Sequence, residues 1–196
     1  EDDLNAIKMG DVDDFTNFIN AVIDENAFEK HRNAIEEARQ ASDAEIVFGG
    51  NCDKSQGYFV EPTVILAHDP NYKTMEQELF GPILTIYVYD EQQFEETLDL
   101  VDQTSPYALT GAILSRERKP LEIASHKLED AAGNFYLNDK PTGSVVGQQS
   151  FGGARMSGTN DKAGSYINLI RWTSMRSIKE NFVTPTDYTY PFMKDQ

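Results

Sequence analysis

Between residues 82 and 137 the sequence alternates apolar extended runs with amphipathic segments of helical period, a pattern that few folds accommodate. Pro82–Tyr89 is apolar and rich in β-branched residues, which predicts a strand buried on both faces. The pattern then predicts helices over 91–103 and 116–128, alternating with strands over 108–114 and 133–137. Strands and helices in this order pair in parallel through crossover connections, so the chain is predicted to be an α/β protein with a parallel sheet.

The residues before this alternation predict one long helix and further extended segments. Apolar residues recur at near-helical spacing between Ala27 and Ala38, with acidic residues before them, as at the start of an amphipathic helix. Pro62 interrupts an extended run and therefore indicates a sheet edge or a bulge. The predicted elements are a short helical end over 1–8, a helix over 26–42, a strand over 44–48 and an extended segment over 58–66.

The last third of the chain breaks the alternation. Residues 138–164 hold six glycines in 27 positions, and a loop of this length inside a compact domain is usually functional. A short helix is predicted over 165–171 and a terminal strand over 172–182. Beyond it lies an aromatic tail without a core of its own, which is expected to pair with another subunit because an exposed strand edge is a liability in a monomer.

Charge and hydropathy argue against two classes of partner. The formal net charge is −16, with −17 in residues 1–100 and +1 in residues 101–196. Binding to nucleic acid or to an anionic membrane surface requires a surplus of Lys and Arg, so neither partner is predicted. No apolar run approaches the roughly 20 residues that span a bilayer, and the first residues do not predict a signal peptide.

The single cysteine and the three histidines are weak candidates for catalysis. Cys52 lies beside Asp53, whose negative charge would raise the pKa of the thiol, and its surroundings predict a turn between strands. A nucleophile needs the opposite environment, so no catalytic role is assigned to it. The histidines are predicted to be surface residues too far apart for a zinc cluster or a triad: His31, His68 and His126.

A short turn before the Pro82–Tyr89 strand carries a carboxylate and an aromatic ring. In open α/β sheets, ligands gather in the loops at strand ends. The carboxylate of Glu78 can accept two hydrogen bonds from a ribose diol, and Phe80 can flank a flat ring. The alternative is a turn with a solvated glutamate, and the residue pattern alone leaves both interpretations open.

The glycine-rich loop is the second candidate. Thr142-Gly143-Ser144 and Phe151–Arg155 offer free backbone N–H groups, a hydroxyl and an aromatic ring. Successive N–H groups in such turns form nests that bind carboxylate or phosphate. No Lys-Ser/Thr follows the glycines into a helix, so the loop is not a P-loop. A flexible surface loop is the alternative, and the pattern alone predicts an α/β domain with a ligand-binding loop.

Several segments, in order, resemble the aldehyde dehydrogenase superfamily. Glu78–Pro82 resembles its E-[IL]-F-G-P signature, and Phe151–Gly158 resembles its F-G-G-x-x-x-S-G segment. Gly133–Asn138, which contains Asn134, is similar to the G-x-x-x-x-N strand before that segment. Within the superfamily the chain most resembles the Δ1-pyrroline-5-carboxylate dehydrogenases, also called glutamate-γ-semialdehyde dehydrogenases. The stretches that carry this likeness are Gly57–Pro62, Ala132–Lys140, Thr142–Asp161 and Arg171–Ser174.

The resemblance implies that the chain is the carboxy-terminal portion of a longer enzyme. Residues 1–171 would form most of a three-layer, parallel-sheet catalytic domain, and residues 172–196 an oligomerisation strand and tail of a homo-oligomer. The catalytic cysteine and the Rossmann-type domain of the family would lie before Glu1, so no catalytic residue is expected in this chain and the chain alone is expected to be inactive. The resemblance implies a mitochondrial matrix location in a eukaryote and a cytoplasmic one otherwise.

The resemblance also implies roles for five residues. Glu78 would bind the nicotinamide ribose hydroxyls of NAD, and Phe80 would pack beside the nicotinamide. Gly143 and Ser144 would hold the α-carboxylate of glutamate semialdehyde, and Phe151 would pack on its aliphatic chain. The implied reaction is thiolate attack on the aldehyde, hydride transfer to NAD and hydrolysis to L-glutamate in proline catabolism. The alternatives are a non-catalytic assembly module and a related dehydrogenase with another aldehyde substrate.

Overall fold

A long helix packed on a three-stranded sheet forms the first half of the molecule in the computed structural model, which describes residues 2–194. The helices are α1 (Asp2–Ala6), α2 (Glu25–Gln40), α3 (Lys73–Glu76), α4 (Phe94–Thr104), α5 (Arg118–Lys127) and α6 (Tyr166–Ile170). The strands are β1 (Ala44–Phe48), β2 (Cys52–Asp53), β3 (Phe59–Val60), β4 (Thr63–Ala67), β5 (Ile83–Tyr87), β6 (Tyr107–Ala108), β7 (Thr110–Ile113), β8 (Asn134–Leu137) and β9 (Ala154–Arg155). Short 3-10 turns cover Glu91–Gln93 and Pro191–Met193.

Helix α2 confirms the predicted amphipathic helix within two residues at each end. The carboxylate of Asp24 caps it by accepting a hydrogen bond from the Ala27 N–H at 2.8 Å. Its apolar stripe is buried against the sheet, where Ile35 joins Val60 in one hydrophobic cluster. Burying this stripe supplies most of the stability of such a helix, because isolated helices of this length are marginal in water.

The first sheet has the order β1-β4-β5, with β1 antiparallel and β5 parallel to β4. The prediction that Pro82–Tyr89 is buried on both faces is wrong. Strand β5 is shorter, and Leu84 is 58% exposed and Ile86 40% exposed, because one face of this edge strand is not covered by the described part of the chain. An apolar run therefore indicated a strand here without indicating what covers it.

The second half contains the predicted crossover unit. Strands β7 and β8 pair in parallel, and α5 connects them and packs on α4 through Leu98, Ala124 and Leu128. The expected continuous parallel sheet is divided, however, because β5 pairs only with β4 among the described strands. The two parallel pairs are built on separate hydrophobic clusters, which accounts for the division.

The segment after α6 does not form the predicted terminal strand. Residues 173–181 adopt no regular secondary structure, because no other described segment lies alongside to complete a ladder of hydrogen bonds. Large apolar side chains in this segment remain exposed, among them Trp172 and Phe182. Pairing with another subunit, and the division at residue 172, stay predictions. In the described chain, no helix is both long and apolar enough to cross a membrane.

Candidate functional site

The turn that carries Glu78 is fixed from both ends. Helix α3 ends at Glu76, and the Thr63 N–H at the start of β4 donates to the Pro82 carbonyl at 2.8 Å. Between them Phe80 has φ +54°, a left-handed conformation that non-glycine residues rarely adopt. A backbone held in this unusual conformation needs support from its surroundings, and it exposes the ring of Phe80 to solvent.

That support is a buried histidine. His31 of α2 is fully buried, and its imidazole lies against Gly81, where an added Cβ would stand 2.4 Å from Nε2. Burial lowers the pKa of His31, and the charge of Lys30 lowers it further. The nearby backbone of Phe80 raises this pKa by less than burial lowers it. Neither ring nitrogen has a hydrogen-bond partner in the described chain. His31 is therefore a neutral packing residue beneath the turn.

The prediction that all three histidines lie at the surface is wrong for His31, whereas His68 and His126 are exposed. His31 belongs to the same apolar repeat as Phe28 and Ile35, so the spacing already contained the signal. The surface prediction followed the polar character of the side chain instead of its spacing.

Glu78 lines a cavity of about 500 Å³. Its carboxylate accepts no hydrogen bond from residues 2–194, so both oxygens are free for a ligand. Lys30 also lines the cavity and supplies a positive charge. The full lining is Lys30, Glu76, Gln77, Glu78, Leu79, Thr104, Pro106 and Tyr107.

The predicted anchor lies at the outgoing limb of the glycine-rich loop, defined as residues 142–145. Gly143 has φ +79°, and a Cβ added there would meet no heavy atom within 4 Å. The backbone N–H groups of Gly143 and Ser144 donate no hydrogen bond to any residue from 2 to 194. Two neighbouring backbone donors without partners are the groups from which a carboxylate-binding nest is built.

The hydroxyl of Ser144 is already engaged inside the loop. It donates to the Gln149 carbonyl at 3.2 Å, and Oγ of Ser144 lies 3.4 Å from Nδ2 of Asn134. A serine hydroxyl has one proton to donate. In this arrangement the backbone groups, and not the hydroxyl, are free to donate to an anion.

Phe151 lies on the returning limb of the loop, defined as residues 150–153. Its backbone pairs with Ala163 through two hydrogen bonds of 2.9 and 2.7 Å. The ring is partly exposed. Phe151 is thus a rigidly held aromatic on the same loop as the free N–H groups.

Strand β6 connects the two candidate regions. Tyr107, which lines the Glu78 cavity, pairs with Arg155, which follows the returning limb. The Met156 N–H donates to the Pro106 carbonyl at 3.2 Å, and the Ala108 N–H donates to Oγ of Ser157 at 3.0 Å. The end of the glycine-rich loop is therefore attached to the wall of the cavity.

Cys52 lies apart from both regions. It is half-buried in the short strand β2, so the predicted turn at this position is wrong. Burial raises the pKa of its thiol, and Arg32, Glu36, Arg39 and Glu61 contribute smaller and opposing effects. Asp53, the expected cause, instead accepts hydrogen bonds from Ser55. A thiol that is protonated at neutral pH is a poor nucleophile.

Comparison with known proteins identifies the family. A family model described as the aldehyde dehydrogenase family matches residues 1–178. The chain belongs to the aldehyde dehydrogenase family. Its α/β architecture with parallel strand pairs is that of structurally characterised members of the family, as expected from the sequence.

Individual members of the aldehyde dehydrogenase family are similar over nearly the whole chain. A mitochondrial delta-1-pyrroline-5-carboxylate dehydrogenase from Dictyostelium discoideum is 61% identical over 192 residues, which are 98% of this chain and 34% of that protein. The crystal structure of the Mycobacterium tuberculosis delta-pyrroline-5-carboxylate dehydrogenase matches with a TM-score of 0.85 at 50% identity, over 98% of this chain and 35% of that one. A structure of the same enzyme bound with NAD matches with a TM-score of 0.84, also at 50% identity and over the same shares of the two chains. The chain spans about a third of the length of these relatives.

Proposed function

We propose that this chain forms the carboxy-terminal part of an NAD-dependent dehydrogenase that oxidises L-glutamate γ-semialdehyde to L-glutamate in proline catabolism. The observation that carries the proposal is the pair of unpartnered N–H groups at Gly143 and Ser144, on a loop attached to the wall of the Glu78 cavity. The names of the similar enzymes support the same substrate.

The cofactor would be NAD, which accepts a hydride when bound. Glu78 fits a ribose diol because its carboxylate has no partner and faces a cavity large enough for a mononucleotide. Phe80 fits a flat ring because its left-handed backbone, supported by His31, presents the aromatic face to solvent. These two residues would orient the cofactor and carry no proton in the reaction.

The substrate would be anchored at the end remote from its aldehyde. The N–H groups of Gly143 and Ser144 would donate to the α-carboxylate, and Phe151 would pack on the aliphatic chain. The Ser144 hydroxyl contacts the carboxylate only if it rotates away from the Gln149 carbonyl. Anchoring one end fixes the aldehyde carbon at a set reach, and such positioning lowers the entropic part of the barrier.

The isolated chain of 196 residues is proposed to be inactive. Its cysteine has a raised pKa and lies away from the Glu78 cavity and the glycine-rich loop, so it does not replace the nucleophile of the family. The exposed apolar segment after α6 is proposed to pair with another subunit of a homo-oligomer. A mitochondrial matrix location is proposed for a eukaryotic source, and the name of the Dictyostelium relative, which is called mitochondrial, supports it.

The test compares aldehydes that differ in their carboxylate. Formation of NADH by the full-length protein is measured with pyrroline-5-carboxylate, which equilibrates with glutamate semialdehyde, and with pentanal, which has five carbons and no carboxylate. We expect a kcat/KM ratio of about a hundred or more, since losing a charged partner leaves two donors unpaired. Succinate semialdehyde, one carbon shorter, should lie between them.

Each alternative has its own outcome in this experiment. Equal efficiency with pentanal would indicate a dehydrogenase for another aldehyde and would contradict the carboxylate anchor. A full-length protein that folds, assembles and oxidises none of the three aldehydes would support a non-catalytic module. Glu78→Gln is the matched control for the cofactor side, and it should raise the KM for NAD while leaving the ratio between the aldehydes unchanged.

A further inference from the structure

Asn134 connects the two limbs of the glycine-rich loop. It begins β8 and is almost fully buried, and its carboxamide makes three contacts. Oδ1 accepts a hydrogen bond from the Gly152 N–H at 3.1 Å, and Nδ2 donates to the Ser150 carbonyl at 3.1 Å. Nδ2 also lies 3.4 Å from Oγ of Ser144. One buried side chain thus reaches the returning limb twice and the outgoing limb once.

The returning limb has further supports. Its backbone crosses the start of β8 so closely that a Cβ on Gly133 would stand 1.8 Å from the Gly152 carbonyl oxygen. Nζ of Lys162 donates to the carbonyls of Gly133 and Gly152, and the Phe151 backbone pairs with Ala163. These contacts fix the returning limb without any help from Asn134.

The outgoing limb has far fewer supports. Beyond Asn134, it is held by the Thr142 N–H, which donates to the Lys140 carbonyl, by the hydrogen bond from Ser144 to the Gln149 carbonyl and by two N–H groups that donate to the Val145 carbonyl, those of Gln148 and Gln149. These bonds join residues no more than five positions apart. Among the described residues, Asn134 is the buried side chain that ties the limb with the free N–H groups to a strand of the domain.

We propose that Asn134 is a positioning residue that sets the preference for aldehydes bearing an α-carboxylate. The inference rests on the proposed function and adds a residue that does not itself touch the substrate. By holding the Ser144 side chain, Asn134 fixes the backbone of the limb that carries the Gly143 and Ser144 N–H groups. A carboxamide suits this task because it is a donor and an acceptor at once.

The test is Asn134→Asp in the full-length protein. The carboxylate can still accept from Gly152, but it cannot donate to Ser150 or Ser144 and it faces the Ser150 carbonyl. We expect the KM for glutamate semialdehyde to rise about tenfold with little change in kcat, because the limb that carries the anchor loses its hydrogen bond to Asn134. The kcat/KM for pentanal should stay within about threefold, because that aldehyde does not use the anchor.

Ser157→Ala is the matched control, since it removes another hydroxyl contact of the same region, to the Ala108 N–H, outside the proposed site. It should change kcat/KM by the same factor for both aldehydes. If Asn134→Asp lowered kcat/KM by the same factor for both aldehydes, or for neither, the proposal would be overturned. A wild-type protein without any preference for the carboxylate would overturn the proposed function as well, which separates the two failures.

A second variant covers the case in which Asn134→Asp does not fold. Asn134→Ser keeps a small polar side chain that cannot bridge the two limbs. The amides of Gln148 and Gln149, which donate to the Val145 carbonyl on the outgoing limb, should exchange hydrogen faster than in the wild type. The Phe151 and Ala163 amides, which pair with each other, should be unchanged. Unchanged exchange at Gln148 and Gln149 would contradict the role of Asn134.

Discussion

The Glu78 turn and the glycine-rich loop expose comparable ligand-binding groups, but they are held by different forces. The turn rests on a buried imidazole: Gly81, which follows the left-handed Phe80, packs against His31, and Pro82 accepts a hydrogen bond from β4. The loop is held by polar contacts through Asn134 and Lys162, and its outgoing limb stands in open space. Steric changes should therefore damage the turn, whereas polar changes should damage the loop.

The largest loss of stability is expected at Gly133, where the loop is held by a steric contact and not by a polar one. At Gly133 the loop and β8 meet backbone to backbone, so neither side can move aside for a methyl group. We expect Gly133→Ala to lower the free energy of unfolding by about 3 kcal/mol, measured by urea denaturation. Gly147→Ala is the control, since its φ of +81° is strained but its surroundings are open, and it should cost about 1 kcal/mol. Equal costs would show that close approach is unimportant.

The turn should respond to the same kind of change with a somewhat smaller loss. A methyl group on Gly81 would overlap the His31 ring, and we expect Gly81→Ala to cost about 2 kcal/mol of unfolding free energy and to weaken NAD binding. His31→Ala removes the obstructing ring, so the double variant should be less destabilised than the sum of the two single variants. Strict additivity would mean that the two residues do not support each other.

The buried imidazole also predicts a dependence on pH that the loop lacks. The pKa of His31 is lowered in the folded state from an ordinary value of 6.5, so the unfolded chain binds the proton more readily. Stability should therefore fall as the pH drops below about 6.5, by at most about 1.4 kcal/mol per pH unit. Urea unfolding between pH 7 and 5.5 should show a shallower dependence in His31→Leu. Identical slopes for the two proteins would mean that His31 is not buried in its neutral form.

The smallest effect is expected at Ser144. Its hydroxyl donates to the Gln149 carbonyl and accepts from Asn134, so Ser144→Ala removes two neutral hydrogen bonds and leaves both backbone donors in place. We expect the KM for glutamate semialdehyde to rise about tenfold, as in Asn134→Asp, in steady-state assays of the full-length protein. A rise above about fiftyfold would show that the hydroxyl turns to the charged carboxylate, since hydrogen bonds to charged groups are stronger.

Much of this organisation could be predicted from the sequence. Periodicity located α2, α4 and α5, and several strands along the chain, within a few residues, because an amphipathic face leaves a repeat in the chain. The two motif regions were also located, as both consist of residues with unusual backbone freedom or exposed polar groups.

Long-range contacts were not predictable in the same way. The exposure of β5 and the irregular backbone of residues 173–181 depend on what lies alongside them, which no local pattern encodes. The role of His31 depends on a contact with Gly81, fifty positions away, and that of Asn134 on a loop that folds back over β8.

The most direct test of the account is a crystal structure of the full-length protein with bound L-glutamate, the proposed product. The account predicts an α-carboxylate oxygen within hydrogen-bond distance, about 3 Å, of both backbone nitrogens of Gly143 and Ser144, with Asn134 still bridging the two limbs. A carboxylate bound elsewhere, or a loop whose outgoing limb has left Asn134 to reach the ligand, would contradict it.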